Sequence, residues 1–323
     1  MGKSKRKDNK IKDKKFNNKI YIIISIFNLL ISLSIICFTL YNYDVYNKKL
    51  DEKDNLMKEY NDIEKVYNDK NKENILIQTS IDELKDIDNR TETLKQEVFN
   101  LAKELEQDIK DNKSNKKIAY LTFDDGPYYL TYKYLDVLKK HGVKATFFTI
   151  GSNGEKCYDN KSKNCREVFK ALAEDNHTIA NHTYHHLTYN RFVYKSANNY
   201  ITSLKKQEDL IKDKTGGYIT NITRFPGGSG TAGKLKNSII KKLRENNYGW
   251  VDWTAQDGDG GALSNKTTAM NNLKKSINDD IEVILFHDYS YITLGILPDA
   301  IKYLENKGYI LLPLFYDSIM VNK

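Results

Sequence analysis

The stretch KIAYLTFDDGP, residues 117–127, opens the folded part of the chain. Its apolar run 118–123 predicts a buried strand, and Gly126-Pro127 ends that run in a turn. Six further runs of this kind follow at 143–149, 177–181, 221–225, 248–253, 282–286 and 308–314. Helix-like segments lie between most of them, among them 131–140, 166–174, 199–213 and 235–246. Strands that alternate with helices indicate parallel βα units, and this number of units in about 200 residues favours an α/β distorted (β/α) barrel of about seven strands over a doubly wound sheet.

Polar residues follow these runs at the C-terminal ends of the strands, where a barrel carries its chemistry. Asp124 and Asp125 end the first run, and a bend there would let both carboxylates face one pocket, although Asp-Asp before Gly-Pro is usually plain turn chemistry. His182 and His186 follow the third run, four residues apart, which places them on one face of an expected helical turn. An aspartate with two histidines is a ligand set typical of a catalytic zinc or a similar divalent ion.

Three more elements follow later runs. Arg224 opens the segment RFPGGS (224–229), which is either an ordinary surface turn or a loop whose backbone N–H groups bind an oxyanion. The acidic residues of the next segment are Asp252, Asp257 and Asp259. Acids in such a loop commonly cap turns, so their role stays open. His287 ends the sixth run; alone it is more often structural, but beside a metal ion it can serve as a general acid.

These elements, in this order, resemble the polysaccharide deacetylase family, that is, carbohydrate esterase family 4 with its NodB homology domain. The resemblance covers about residues 117–320 and rests above all on TFDDGP (122–127) and HTYHH (182–186). It implies a distorted βα barrel with fewer strands than the eight of a regular barrel. By matching position, Asp124 would be the catalytic base, Arg224 would orient this base and keep it ionised, and His287 would protonate the departing sugar amine.

The same resemblance implies a metal site. Asp125, His182 and His186 would hold one divalent ion, typically zinc, with cobalt, nickel or manganese as alternatives. Backbone N–H groups at Gly227 and Gly228 would hold the oxyanion together with the metal ion.

The sequence departs from the family pattern at the acid that usually braces the arginine. That acid aligns nearest Gln256, so Asp259, Asp257 or Asp252 takes its place, or no residue does. None of the departures removes a metal ligand, the base or the acid, so the resemblance implies an active enzyme.

The implied reaction is metal-dependent hydrolysis of the N-acetyl amide of N-acetylglucosamine residues in an extracellular polysaccharide. Peptidoglycan is the expected polymer, and acetate is the expected product. The alternatives are another secreted N-acetylhexosamine polymer, an O-acetyl ester, or an inactive sugar-binding module on a scaffold stalk.

The first residues predict a membrane anchor. Residues 1–19 hold nine Lys or Arg against two acids, and residues 20–43 hold no charged side chain. The uncharged stretch is long enough to span a bilayer and lacks the short apolar core and small residues of a cleaved signal peptide. The basic tail then predicts a single-pass protein with a cytoplasmic N-terminus and an extracellular catalytic domain at 117–323.

Between anchor and domain, residues 44–116 predict a helical stalk. Residues 45–112 contain neither Pro nor Gly, and apolar residues recur three and four positions apart. This spacing fits a solvated spacer helix or a coiled coil that forms a homodimer. The net charge of +8 lies largely in the tail, so nucleic-acid binding is not expected. Cys157 and Cys165 form either a disulfide or two free thiols.

Overall fold

The structure is a computed structural model that describes residues 53, 56–61, 99–159, 165, 167–187, 191–218 and 220–316. The predicted tail and anchor, and most of the predicted stalk with its dimer interface, lie outside these residues. Within the described ranges no helix is both long and apolar enough to cross a bilayer. The chain divides into two compact units, Met1–Ala102 and Lys103–Lys323, and the sheet and the candidate site lie in the second.

The second unit begins with a helical stretch that the sequence assigned to the stalk. Residues 103–110 are helical, and Glu106 in this stretch is buried. The Glu106 carboxylate accepts a hydrogen bond from the hydroxyl of Tyr120 in the first strand. A buried carboxylate is costly without such a partner, so this contact ties the end of the stalk to the folded domain.

In the part of the chain that the structure describes, eight parallel strands form the sheet. They are β1 Lys117–Asp124, β2 Thr146–Thr149, β3 Thr178–Asn181, β4 Ile222–Thr223, β5 Gly249–Trp250, β6 Ala255–Gln256, β7 Ile281–His287 and β8 Tyr309–Leu312. Seven of them lie in the order β5-β4-β3-β2-β1-β7-β6, and β8 pairs with β1 beside this path. The predicted parallel α/β sheet is confirmed, as a curled half-barrel. Among the described residues no pairing joins β5 to β6, so the sheet stays open there.

Within the described residues, seven α-helices connect the strands. They are α1 Thr131–Lys140, α2 Gly151–Asp159, α3 Val168–Glu174, α4 Ala197–Thr215, α5 Lys236–Glu245, α6 Lys266–Ser276 and α7 Tyr291–Asn306. Three of these helices begin at a side-chain N-cap, because Ser196, Asn265 and Ser290 each accept a hydrogen bond from a backbone N–H of the first turn. The helix α4 ends at Gly216, whose φ of 75° suits a residue without a Cβ atom.

The register of the central strands sets the level of the site. Phe123 in β1 pairs with Phe147 in β2 and with Phe286 in β7, and its ring stacks on theirs at centroid distances of 4.9 and 5.7 Å. All three side chains are buried, as expected where helices cover a parallel sheet. The next pair along β1 and β7 is Asp124 with His287. Because neighbouring strand residues point to opposite faces, the aromatic side chains lie on one face of the sheet and Asp124 and His287 begin the site on the other.

Candidate active site

The end of β1 turns so that its two carboxylates face one pocket. Asp125 has a φ of 70°, in the left-handed region that few residues other than glycine adopt. Its carbonyl oxygen accepts a hydrogen bond from Asn153 Nδ2 at 2.8 Å, which holds the bend. The bend that the sequence required is therefore present, and strain of this kind tends to occur at functional sites.

Asp125, His182 and His186 form the group of side chains that could hold a metal ion. Their ligand atoms all lie within 4.8 Å of one another. Asp125 Oδ1 is 3.4 Å from His182 Nε2 and 3.3 Å from His186 Nε2. Asp125 Oδ1 is also buried and lacks a hydrogen-bond partner in the described part of the chain. A buried carboxylate oxygen that faces two ring nitrogens and lacks a donor fits a cation between them.

The two imidazoles are suited to metal binding. Burial lowers the pKa of His182 well below its usual value and lowers the pKa of His186 to about 4. Both rings are therefore neutral at pH 7, which is the form that coordinates a metal ion. His182 Nδ1 lies 2.9 Å from the carbonyl oxygen of Arg224, which fixes the ring and directs Nε2 into the pocket.

The expected helical turn between the two histidines is wrong. Residues 182–183 are irregular and residues 184–187 form bends and turns, and Thr183 and His186 have φ values of 62° and 49°. The loop still brings the two rings to a centroid distance of 4.8 Å. The Asn181 side chain accepts a hydrogen bond from the N–H of Thr183, and this contact supports the tight turn that replaces the helix.

Asp124 and Arg224 form a buried ion pair. Arg224 Nη1 donates to Asp124 Oδ1 at 2.7 Å and to Thr122 Oγ1 at 2.8 Å. Burial raises the pKa of Asp124 to about 6, and the charge of Arg224 opposes this rise. Asp124 Oδ2 is left facing His182 Nε2, at 3.6 Å. A carboxylate with one oxygen fixed by an arginine and the other directed at the metal ligands has the position of a general base.

Asp252 acts on Arg224 through its charge and through its backbone. Burial lowers the pKa of Arg224, and the negative charge of Asp252 opposes this effect, as does that of Asp124. Arg224 Nε and Nη2 donate to the backbone carbonyl oxygens of Val251 and Asp252, at 3.1 and 3.0 Å. The Asp252 carboxylate accepts from the N–H and Oγ of Ser229, at 2.9 and 2.6 Å. Of the three candidate acids only Asp252 lies beside the guanidinium, and it contacts that group through its carbonyl.

Asp259 contacts His287 in place of Arg224. His287 Nδ1 lies 2.7 Å from Asp259 Oδ1, and the His287 N–H donates to Asp259 Oδ2 at 2.8 Å. Burial alone would lower the pKa of His287, but the hydrogen bond and charge of Asp259, together with the charges of Asp124 and Asp125, outweigh it and raise the pKa to about 9. His287 Nε2 faces the pocket, 3.8 Å from Asp125 Oδ2. The pair therefore presents a protonated imidazole to the metal group at neutral pH.

Thr293 at the start of α7 connects Asp257 to this pair. Its Oγ1 lies 2.7 Å from Asp257 Oδ2 and 2.8 Å from Asp259 Oδ2. Burial raises the pKa of Asp257 to about 7, and the neighbouring charge of Asp259 adds to the rise. Thr293 was not among the residues that the sequence singled out, because a threonine in the first turn of a helix carries no signal of its own.

The glycine loop after β4 offers one backbone amide. The Gly228 N–H donates to the carbonyl oxygen of Phe225 at 2.8 Å, so it is not available to a substrate. Gly227 is exposed, and its N–H has no acceptor among the residues that the structure describes. Gly228 also has a φ of 84°, and a Cβ atom there would lie 2.9 Å from the ring of Trp253. Gly227 remains the candidate oxyanion donor, and Gly228 shapes the turn.

A disulfide joins Cys157 and Cys165, whose Cα atoms lie 5.2 Å apart. Of the two alternatives that the sequence left open, the structure therefore has the bridge. It closes a segment that begins in α2, on the strand-end side of β2.

Asp288 is a buried acid that the sequence did not single out. It lies under Gly126, where a Cβ atom would come within 2.4 Å of the Asp288 carboxylate. Asp288 Oδ2 accepts from Thr131 Oγ1 at 2.5 Å, while Oδ1 has no partner in the described ranges. Burial raises the pKa of Asp288 to about 7, against the effect of the Thr131 hydrogen bond.

Asp288→Asn is expected to change how stability depends on pH. The pKa of Asp288 is about 7 in the folded protein and about 3.9 in the unfolded chain. Between these pH values the folded protein therefore binds the Asp288 proton more tightly than the unfolded chain does. Wild-type stability is therefore present below pH 4 and is lost as pH rises towards 7. Asparagine does not titrate, so the stability of the variant relative to wild type should rise by about 1 kcal/mol per pH unit. Urea unfolding of metal-free protein at pH 5, 6 and 7 measures this, and parallel curves would contradict it.

Comparison with known proteins identifies the family of this chain. The family model for polysaccharide deacetylases matches residues 111–248. The chain is 32% identical over 198 residues to YheN of Bacillus subtilis, a match that covers 60% of this chain and 65% of that protein. It is 30% identical over 203 residues to a peptidoglycan-N-acetylglucosamine deacetylase of Bacillus cereus, covering 61% of this chain and 69% of that protein. The chain belongs to the polysaccharide deacetylase family.

A solved structure supports the assignment of this polysaccharide deacetylase. The catalytic domain of a peptidoglycan N-acetylglucosamine deacetylase from Eubacterium rectale superposes with a TM-score of 0.58 at 27% identity. The match covers 65% of this chain and 93% of that domain. The chain spans about two thirds of the full-length relatives that it matches. The resemblance that the motifs indicated is thereby confirmed, and the chain is a hydrolase of a family whose members are generally metal-dependent.

Proposed function

We propose that this polysaccharide deacetylase hydrolyses the N-acetyl amide of N-acetylglucosamine residues in peptidoglycan and releases acetate. The proposal rests on one observation above the others. The possible metal ligands, the Asp124–Arg224 pair and the His287–Asp259 pair converge on one pocket at the C-terminal ends of β1, β3, β4 and β7. Relatives that match over most of the domain are peptidoglycan-N-acetylglucosamine deacetylases by name, which favours this polymer.

Asp125, His182 and His186 would hold the divalent ion, with zinc favoured by a set of two imidazoles and one carboxylate. When bound, the ion would supply Lewis-acid chemistry, which polarises a carbonyl oxygen and makes a water molecule more acidic. Two neutral imidazoles and one carboxylate leave a net charge of about +1 on such a site, which favours a developing negative charge on the substrate oxygen.

Asp124 and His287 would move the protons. Asp124 Oδ2 faces the ligand group while Oδ1 is held by Arg224, so this carboxylate takes a proton from the attacking water. The water oxygen bonds to the amide carbon, and the C–N bond then breaks. His287 Nε2 gives its proton to the departing sugar nitrogen, because Asp259 on Nδ1 keeps the imidazole protonated at neutral pH. The products are acetate and a free amine, and the exposed N–H of Gly227 is the proposed backbone donor to the oxyanion.

The site would work at the cell surface. The uncharged stretch 20–43 and the basic tail 1–19 support a single-pass anchor with the catalytic domain outside, close to the wall polymer. A tether of this kind raises the local concentration of enzyme on an immobile substrate. Cell fractionation tests the anchor, since the full chain should sediment with membranes and a chain without residues 1–43 should not.

Acetate release from purified peptidoglycan is the decisive measurement for the proposed function. The full chain, supplied with zinc, should release acetate from peptidoglycan and from an N-acetylglucosamine hexamer. The matched control is Asp124→Asn, which removes the base and keeps the proposed metal ligands. Release from an O-acetylated glycan alone would favour the esterase alternative, and tight binding of both glycans without release would indicate a sugar-binding module.

A further inference from the structure

Two loops beside the site carry an unusual number of tyrosines. Tyr128 and Tyr129 follow Pro127 at the end of β1, and Tyr289 and Tyr291 follow His287 at the end of β7. Tyr129 and Tyr291 are 47% and 58% exposed. Most other large apolar side chains of the described domain are buried, so two exposed aromatic rings side by side call for an explanation.

The four rings form two contacting pairs. The Tyr289 ring lies 5.1 Å from the His287 ring, at an interplanar angle of 33°, and Tyr128 contacts Tyr289 edge to face at 5.3 Å. In the second pair Tyr129 lies 6.0 Å from Tyr291. The first pair therefore adjoins the buried imidazole, and the exposed pair follows one and two residues later in the same two loops.

Hydrogen bonds fasten the two loops to each other. Thr131 Oγ1 accepts from the N–H of Tyr128 at 2.8 Å and donates to Asp288 Oδ2 at 2.5 Å. The Tyr134 hydroxyl lies 2.5 Å from the carbonyl oxygen of Ser290 and 3.1 Å from that of His287. The rings are thus presented by a fixed backbone, which lowers the entropy cost of using them to bind a ligand.

The exposed rings of Tyr129 and Tyr291 lie a few residues after Asp125 and His287. Tyr129 follows Asp125 by four residues, and Tyr291 follows His287 by four. At about 3.8 Å per residue, each Cα atom can lie no more than about 15 Å from that of its catalytic neighbour. The two exposed rings are therefore within reach of a sugar next to the one that occupies the pocket.

We propose that Tyr129 and Tyr291 form an aromatic platform that binds the pyranose rings next to the sugar being deacetylated. This inference rests on the proposed function, because it assigns a neighbouring sugar of the same polymer to the platform. Pyranose rings have C–H faces that pack on aromatic rings, and tyrosine offers such a face at low conformational cost together with a hydroxyl.

A protein partner fits the exposed pair Tyr129 and Tyr291 less well than a glycan does. Two side chains cover far less than the roughly 800 Å² per partner that a stable protein interface buries. Lys133 Nζ lies 6.0 Å from the Tyr291 ring, but this contact still leaves Tyr291 58% exposed. An exposed aromatic pair on the two loops that follow Asp125 and His287 suits an extended glycan chain bound at the proposed active site.

Binding of N-acetylglucosamine oligomers of increasing length tests the platform without turnover. The dissociation constants of a dimer and a hexamer are measured by calorimetry on the full chain carrying Asp124→Asn. The hexamer should bind more tightly than the dimer. Adding Tyr129→Ala and Tyr291→Ala should weaken hexamer binding roughly tenfold and leave dimer binding within about twofold.

Two matched variants serve as controls. Tyr316→Ala removes a tyrosine that is 39% exposed and that follows Leu314, whose N–H and carbonyl oxygen bond to the first residues of β2 and β3, away from the site. It should change neither affinity. Tyr129→Phe with Tyr291→Phe keeps the ring faces and should retain hexamer binding.

The outcomes separate the platform from the proposed function. Three results would overturn the platform. They are an Asp124→Asn parent that does not bind the hexamer, a double alanine variant that binds it as tightly as the parent, and a double phenylalanine variant that loses as much affinity as the double alanine variant. Acetate release by the wild-type chain is scored independently. A chain that binds the hexamer through these tyrosines and releases no acetate would keep the platform and lose the proposed function.

Discussion

Asp125→Ala is expected to bind divalent metal ions more than about 100-fold more weakly than wild type and to lose acetate release. Loss of an outer-shell partner alone costs about 10–100-fold in metal affinity, and Asp125 is placed as a direct ligand. The substitution also removes the only negative charge of the predicted ligand set, because burial keeps His182 and His186 neutral. Two neutral rings alone hold a divalent ion poorly. Metal content after dialysis, measured by elemental analysis, is compared with the rate of acetate release.

The matched control is Asp124→Asn, at the last residue of β1 and next to Asp125 in the chain. The amide keeps the size of the side chain, an oxygen that can accept from Arg224 and the three ligand side chains, but it cannot take a proton from water. It should retain stoichiometric metal and lose about 10²–10⁴-fold in rate. An Asp125→Ala protein with a full complement of metal and near-normal activity would overturn the assignment of ligand and base to these two residues.

The sequence was sufficient to predict the central strands and the residues that they carry. The runs that became β1 and β7 are long, apolar and buried on both faces, so the pattern was unambiguous. Strands β4, β5 and β6 contain two residues each, and their runs were predicted too long or, for Ala255–Gln256, not at all. Such short strands form because they pair with longer neighbouring strands. Ala255 and Gln256, for example, pair with Ile284 and Leu285 of β7. Pairing of this kind has no periodic signal in the sequence.

The partners of the charged residues were harder to predict than the residues themselves. The segment 252–259 contains three acids, Asp252, Asp257 and Asp259. Their order in the sequence does not predict which of them contacts Arg224 and which contacts His287. The distinction comes from the loop after β5, which turns the carbonyl of Asp252 towards Arg224 and the carboxylate of Asp259 towards His287. The positive φ of Thr183 could not be predicted from the sequence either. Apart from glycine and asparagine, the type of a residue rarely indicates that its φ is positive.

His287→Ala is expected to lower the maximal rate of acetate release about 10²–10⁴-fold while leaving metal content unchanged. The imidazole is placed to protonate the leaving nitrogen, and it is not among the three predicted ligands. Rates at saturating substrate and metal analysis on the same preparation measure both quantities. Full activity in the variant would remove His287 from the chemistry, and loss of metal would make it a ligand.

Asp259→Asn distinguishes two roles of Asp259. In one role it raises the pKa of His287, and in the other it only holds the imidazole ring in position. The hydrogen bond and charge of Asp259 raise the pKa of His287 to about 9, so their loss should lower it. A histidine with a lower pKa gives up its proton at lower pH, and the alkaline limb of the pH–rate profile should move in that direction. The asparagine amide can still accept the hydrogen bond from Nδ1, which keeps the ring oriented. A rate reduced by the same factor at every pH, with the limb unmoved, would mean that Asp259 positions His287 without setting its protonation.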